Sequence, residues 1–146
     1  MLRILSVAAL VAVGATALAA QNLDVIKTRK ETLKSFGAAA KDPGAMIKGE
    51  AKFDLPKVQA ALKTFQAGAA KLPDLFPDDS KTGGDTEALP IIWEKKADVV
   101  DRFKKLAAES KAAEAKITDE ISFQDVWPKL LGDNCGACHK IYRKPK

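Results

Sequence analysis

Apolar residues recur every three or four positions in four stretches of this chain, the period of helices that each bury one face. In the first stretch, about Leu23 to Lys41, the residues Ile26, Arg29, Leu33, Phe36 and Ala40 share a side, and Pro43-Gly44 marks the end. A linker, Ala45 to Phe53, follows. Asp54 is a natural N-cap for the second stretch, with Pro56 in its first turn, where a missing N–H costs nothing. Val58, Ala61, Leu62, Phe65 and Ala69 form its stripe, which stops near Leu72-Pro73. From Asp74 to Pro90 the chain holds Pro77, Gly83, Gly84 and Pro90, so this is the longest loop, tethered by Leu75 and Phe76. The third helix is expected over Ile91 to Ala115, with Ile92, Val99, Phe103, Leu106 and Ser110 along one side. The fourth begins near Thr118 or Asp119 and carries Phe123, Val126, Trp127, Leu130 and Leu131; Pro128 within it predicts a kink or a break.

No stretch alternates with the period of a strand. Four striped helices with mostly short links predict an all-α fold, an antiparallel up-down-up-down four-helix bundle. Large apolar residues are few for a generous core, so something else is expected to fill the space between the stripes.

The chemistry sits at the C-terminus. Cys135-Gly136-Ala137-Cys138-His139 is a C-x-x-C-H run, the attachment signature of a c-type haem. Two thiols one helical turn apart can each add to a haem vinyl group, and the imidazole that follows can ligate the iron. His139 is the only histidine, and Cys135 and Cys138 are the only cysteines. Other uses of the motif fit less well. A structural zinc ion usually takes four Cys or His ligands, and only three are on offer. A thioredoxin-like dithiol normally sits beside a βαβ pattern. A Cys135–Cys138 disulfide needs distortion of the helix and leaves His139 without a role. A covalently held haem c also supplies the flat apolar body that the core lacks, so the apo chain is expected to be much less stable.

The N-terminus fits that reading. Arg3 is followed by an almost wholly apolar run, Ile4 to Leu18, and then Ala17-Leu18-Ala19, a cleavage pattern of small residues. Residues 1–19 read as a secretory signal, too short for a comfortable membrane span, with the four-helix-bundle domain at 20–146. The destination expected is a periplasm, with no stable membrane insertion after cleavage. Removing residues 1–19 takes away Arg3 and no acid, so the formal charge of +5 becomes +4. That modest charge, without aromatic-basic interleaving or a phosphate-binding loop, does not call for nucleic acid. Lys140, Arg143, Lys144 and Lys146 form one basic rim beside the haem motif, suited to steering an acidic redox partner.

On these residues the chain resembles the class II c-type cytochromes, of which cytochrome c′ is the best-known type. The C-x-x-C-H motif lies near the C-terminus, as in that family. Lys48-Gly49-Glu50-Ala51-Lys52-Phe53-Asp54, Phe76-Pro77, Pro90-Ile91-Ile92-Trp93 and the tail Cys138-His139-x-x-Tyr142-Arg143 match further family patterns. The resemblance implies one covalent haem c with His139 as axial ligand. It aligns Leu33 with the residue on the distal face of the iron and Arg29 with an arginine that holds a haem propionate. It puts Arg143 at the border of the proximal pocket. Tyr142 and Trp127 are expected to pack on or near the haem, or simply in the core. It also implies that two copies can pair through the first two helices, with Ala38 to Ala40 permitting close approach.

The sixth ligand decides the chemistry. Leucine cannot ligate iron, so Leu33 leaves one face open and lined with hydrocarbon, which favours NO or CO over O₂ and anions. Met46, the one methionine besides the initiator, falls in the linker and is read as ordinary packing. Lys30 and Lys34 could ligate only when neutral, which costs a proton. With no second histidine, a peroxidase-like acid–base group is missing. Periplasmic one-electron transfer and NO or CO binding are therefore the expected functions, with a low-spin six-coordinate carrier as the alternative.

Overall fold

The computed structural model describes residues 22–145; the expected signal sequence, its cleavage site and Lys146 lie outside the described residues. Seven α-helices are present among them: α1 (Leu23–Ala39), α2 (Lys41–Ile47), α3 (Leu55–Lys71), α4 (Ile91–Glu94), α5 (Lys96–Lys116), α6 (Glu120–Leu130) and α7 (Ala137–Tyr142). The long ones, α1, α3, α5 and the α6–α7 arm, make the four-helix bundle the periodicity predicts. No helix among the described residues is long and apolar enough to cross a membrane.

The centre of the bundle is where α3 packs along α5. Val58, Leu62 and Phe65 of α3 are completely buried, and Val99, Phe103 and Leu106 of α5 nearly so. Trp127 of α6 packs on Phe65 and Phe123, with ring centroids 5.7 and 5.8 Å away. Where α1 crosses α3 the helices touch through Gly68: a Cβ there would lie 2.2 Å from the Phe36 ring. Only a residue without a side chain lets Phe36 lie edge-on to Phe65, centroids 5.4 Å apart.

Local chemistry explains most boundaries. The Asp54 side chain accepts from the Lys57 N–H, and Asp119 and Ser122 form a reciprocal capping box at α6. Three expectations are corrected. Pro43-Gly44 does not end the helical path, because Pro43 is the third residue of α2, where its absent N–H has no partner to lose. The linker expected from Ala45 is therefore helical to Ile47. The Lys48-Gly49-Glu50 run then closes α2: Gly49 has φ +73°, and the Gly49 and Glu50 N–H groups donate to the Met46 and Ala45 carbonyls.

The third expected helix is two helices, separated at Lys95. No glycine or proline breaks it there. Trp93 does, by tertiary anchoring: its indole N–H donates to the Pro77 carbonyl at 2.9 Å and its ring meets Phe76 edge-on. In the fourth arm, the chain stays helical through Pro128, and the irregularity falls three residues later. Residues Leu131–Gly136 wind as one wide π-helical turn, with the Ala137 N–H reaching back to Gly132. Such wide turns concentrate at functional sites, and this one leads straight into the C-x-x-C-H run.

The 74–90 loop is held at both ends. Phe76 is buried and stacked on Phe103, and Leu75 packs against the core. At its far end, Ala88 pairs with Arg143 as an antiparallel bridge, while the Leu89 and Lys144 N–H groups donate to Tyr142 and Glu87 carbonyls.

Candidate cofactor site

Between α1 on one side and α5, α7 and the π turn on the other lies a cavity of about 1130 Å³. Ligand cavities commonly run to ~300–1,000 Å³, so this one suits a large planar group better than a small metabolite. Apolar residues from every wall line it, including Ile26, Leu33, Phe36, Phe65, Phe103 and Leu106.

Of the eight residues singled out from sequence, seven line this cavity: Arg29, Leu33, Cys135, Cys138, His139, Tyr142 and Arg143. Trp127 does not; it lies one layer behind, against Phe65. Met46 is buried in the core, 6% exposed, and lines no part of the cavity.

The two thiols are free and half-buried. Burial pushes both Cys135 and Cys138 above the ordinary thiol range, with Arg102 drawing Cys138 partly back. Among the described residues, no group of three or more His, Cys, Asp or Glu side chains is placed to hold a metal ion. The turn that carries it is clamped: Asn134 Nδ2 donates to the Leu130 carbonyl at 2.9 Å and to Glu109 at 2.6 Å.

Leu33 is 38% exposed, and the surface it shows belongs to the cavity wall. Arg29, one turn earlier, is 2% exposed. Its guanidinium lies over the Phe76 ring, 4.7 Å from the centroid, and burial lowers its pKa, though an arginine stays charged. Nη1 donates to the Leu75 carbonyl and Ser80 Oγ, both at 2.9 Å; Nη2 donates to the Ser80 carbonyl at 3.1 Å and Thr86 Oγ1 at 3.0 Å. All four terminal N–H groups are thus spent on the loop, and no carboxylate among the described residues pairs with this buried cation. Its charge faces the cavity without an anion. On the opposite wall, Arg143 Nε is a buried donor without a hydrogen-bond partner. A buried cation lacking a counter-ion and an orphaned donor fit a group that brings its own carboxylates.

Tyr142 is buried, and its hydroxyl donates to Asp98, which also accepts from Arg102 Nε at 2.7 Å. The Arg102 guanidinium sits 5.6 Å from the Tyr142 ring centroid. These hydrogen bonds, from Tyr142 first and Arg102 second, hold the Asp98 carboxyl below its ordinary range. Sequence reasoning missed Asp98, Arg102, Ser80, Thr86 and Asn134. Asp98 and Arg102 carry an i,i+4 signal, but nothing in the sequence says that this pair meets Tyr142; the others sit in loop or turn.

A four-helix bundle whose last arm presents C-x-x-C-H to an apolar cavity, with a buried arginine that no carboxylate pairs, is the architecture of a helical-bundle c-type cytochrome. The sequence model described as Cytochrome C′ matches residues 24–143, and the chain belongs to the cytochrome c′ family. It is 50% identical to cytochrome c′ of Rhodopseudomonas palustris (strain ATCC BAA-98 / CGA009) over 145 residues, 99% of this chain and 98% of that protein. It is 34% identical to cytochrome c-556 of Agrobacterium fabrum (strain C58 / ATCC 33970), over 83% of this chain and 82% of the relative. The solved structure of cytochrome c′ from Rhodopseudomonas palustris superimposes with a TM-score of 0.82 at 52% identity, covering 84% of this chain and 98% of that one. Covalent haem c, one per chain, is the family's cofactor, and the protein is a haem c electron-transfer and ligand-binding protein.

Proposed function

We propose that this is a periplasmic cytochrome of the c′ type, with a five-coordinate iron that exchanges single electrons and binds NO or CO. Haem c supplies the ferrous–ferric couple and an iron coordination position. In this reading Cys135 and Cys138 would hold the group through thioethers and His139 would ligate its iron. The residues 1–19 are the export signal that delivers the chain to the compartment where attachment occurs.

One observation carries the reading of the iron. Leu33 lines the cavity, and Met46 is buried elsewhere in the core. Leu33 excludes water and offers no donor to a polarised oxygen or anion, so weakly polar diatomics gain the most from this wall. Arg29 offers its charge, and Arg143 its orphaned Nε–H, to the propionates. Because the terminal nitrogens of Arg29 are committed to Leu75, Ser80 and Thr86, its part is charge compensation and anchoring of the loop more than a two-pronged clamp.

An optical spectrum tests the proposal. The ferric protein is expected to show a high-spin Soret envelope, and the ferrous protein to bind CO. A sharp low-spin spectrum unaffected by CO would overturn the five-coordinate reading in favour of a six-coordinate carrier, a reading that the c-556 relatives also suit. Leu33→Met is expected to push the iron towards low spin. His139→Ala is expected to abolish the normal ferrous spectrum, and an unchanged spectrum would remove His139 as ligand.

A further inference from the structure

Helix α5 holds the C-x-x-C-H arm at two points, one on each side of the motif. Before the motif, the Asn134 amide donates to Glu109 at 2.6 Å. After it, the Tyr142 hydroxyl donates to Asp98. Asp98 and Glu109 are eleven residues apart on α5, close to three helical turns, so the two carboxylates share one face of that helix, about 16 Å apart along its axis. Each is steadied by a base on the same face: Arg102 Nε lies 2.7 Å from Asp98, and Lys105 Nζ lies 3.7 Å from Glu109. The order is antiparallel, the earlier carboxylate taking the later arm residue, which fixes the register of the arm along α5.

The arm needs such ties. Its last helix, α7, has six residues, too few to be stable in isolation. The π turn before it is loosely packed at its glycines: among the described residues, a Cβ at Gly132 would meet nothing within 4 Å, and one at Gly136 only the Leu131 carbonyl, 3.8 Å away. Within that turn Asn134 is the buried residue, and its side chain ties the turn to α5. Past α7, the Ala88–Arg143 bridge fastens the chain to the 74–90 loop and not to a helix of the bundle. Asn134, His139 and Tyr142 all line the cavity, whereas Asp98 and Glu109 do not.

We propose that Asp98 and Glu109 are positioning residues for His139, the pair setting where its imidazole stands in the cavity and so how it binds iron. The proposal rests on the reading of His139 as axial ligand and deepens it. The two carboxylates stand behind the cavity wall and act through Tyr142 and Asn134. A ligand must be held within about 0.5 Å of its productive place by the residues that support it, and the axial bond is one of the levers by which a protein sets the behaviour of a haem. Hydrogen bonds to a charged acceptor are short and directional, which suits them to fixing a position. Both carboxylates are close to half exposed, where ion pairs add little to stability, so what they contribute is register.

The test uses the haem-loaded ferrous protein, in which resonance Raman scattering reads the iron–imidazole stretch directly. The parent is expected to show one narrow band. Asp98→Ala combined with Glu109→Ala is expected to broaden and shift it, and each single variant to do so by less. The single variants, which keep one tie each, read the same effect if the double variant does not fold. Asp98→Asn and Glu109→Gln retain an acceptor oxygen for Tyr142 and Asn134 and are expected to keep the band at its parent position. Ala113→Gly is a control: Ala113 is a buried residue of α5 outside the cavity lining, and glycine there lowers helix stability without touching either tie. Its band is expected to match the parent's.

A band that stays in place in all the alanine variants would overturn the proposal. So would an equal shift in Ala113→Gly, since lost stability alone would then explain the effect, or a shift in the Asn and Gln variants as large as in the alanine ones, since the hydrogen bonds would then not be what holds the arm. A parent protein with no iron–imidazole band would overturn the reading of His139 as ligand of an open iron, and with it the inference.

Discussion

Helices α1 and α3 have the same length and similar striping, yet they end in opposite situations. On α3, Val58, Ala61, Leu62, Phe65, Gly68 and Ala69 are all buried against other helices. On α1, only Ile26, Arg29 and Phe36 are buried; one of these is a cation, and Leu33, in the middle of the stripe, shows 38% of its surface. The difference teaches what each helix was built to pack against. The partners of α3 are in the chain. The central face of α1 lines the cavity, where the proposed function seats the cofactor. One half of the bundle is a protein core, and the other is packed around a cavity that the proposed function fills with haem.

The strongest way to break this comparison is to withhold the cofactor. Cys135→Ser with Cys138→Ser is expected to leave α3 and α5 protected from amide hydrogen exchange while α1 amides lose most of their protection. Equal protection of α1 and α3 in that variant would show that α1 needs no cofactor. Phe65→Ala attacks the residue that belongs to both halves, packed on Trp127 and lining the cavity. It is expected to cost about 3–5 kcal/mol in denaturant unfolding, the range for deleting a buried aromatic ring.

Arg29→Met removes the buried cation while keeping much of its hydrocarbon. It strands the Leu75 and Ser80 carbonyls and takes a donor from the Ser80 and Thr86 hydroxyls, which keep their bonds to Pro77 and Ala88, and is expected to cost about 2–3 kcal/mol and to shift the redox midpoint. A midpoint unchanged within error would remove Arg29 from the electrostatics of the site. Gly68→Ala sharpens the comparison at the α1–α3 crossing. Overpacking there is expected to cost about 1–3 kcal/mol, and the displaced Phe36 ring, which lines the cavity, should alter the Soret band as well.

The smallest effect concerns acid. Asp98 is held below its ordinary pKa, so its hydrogen bonds contribute stability above the unfolded carboxylate value, about 3.9. That contribution is lost as pH falls through the lower folded value. Tyr142→Phe is expected to lower the Tm modestly at neutral pH, with the difference from the parent narrowing below about pH 4. A difference that holds constant through that range would show that Asp98 does not gain from Tyr142.

The C-x-x-C-H motif, the caps at Asp54 and Asp119 and the four stripes are local signals, written within a turn or two of chain, and each could be read without the fold. They determined the helical class and the cofactor, and they singled out Cys135, Cys138 and His139, which line the cavity. Leu33 and Arg29 were reachable too, but through resemblance, because a leucine or arginine on a helix carries no local mark of what it faces. What tertiary structure alone decided are the meetings of distant segments. Trp93 breaks a helix that its own sequence would continue, because it is tied to Pro77. Arg29 spends its donors on a loop some fifty residues away. Tyr142 finds Asp98, and Lys30 and Lys144 come to hold the same loop, at Gly84 and Thr86. Periodicity records that a face is buried or exposed, since that follows from the chemistry of each residue. It does not record against what, because that depends on how the helices are placed in space, which the packing of the whole chain sets.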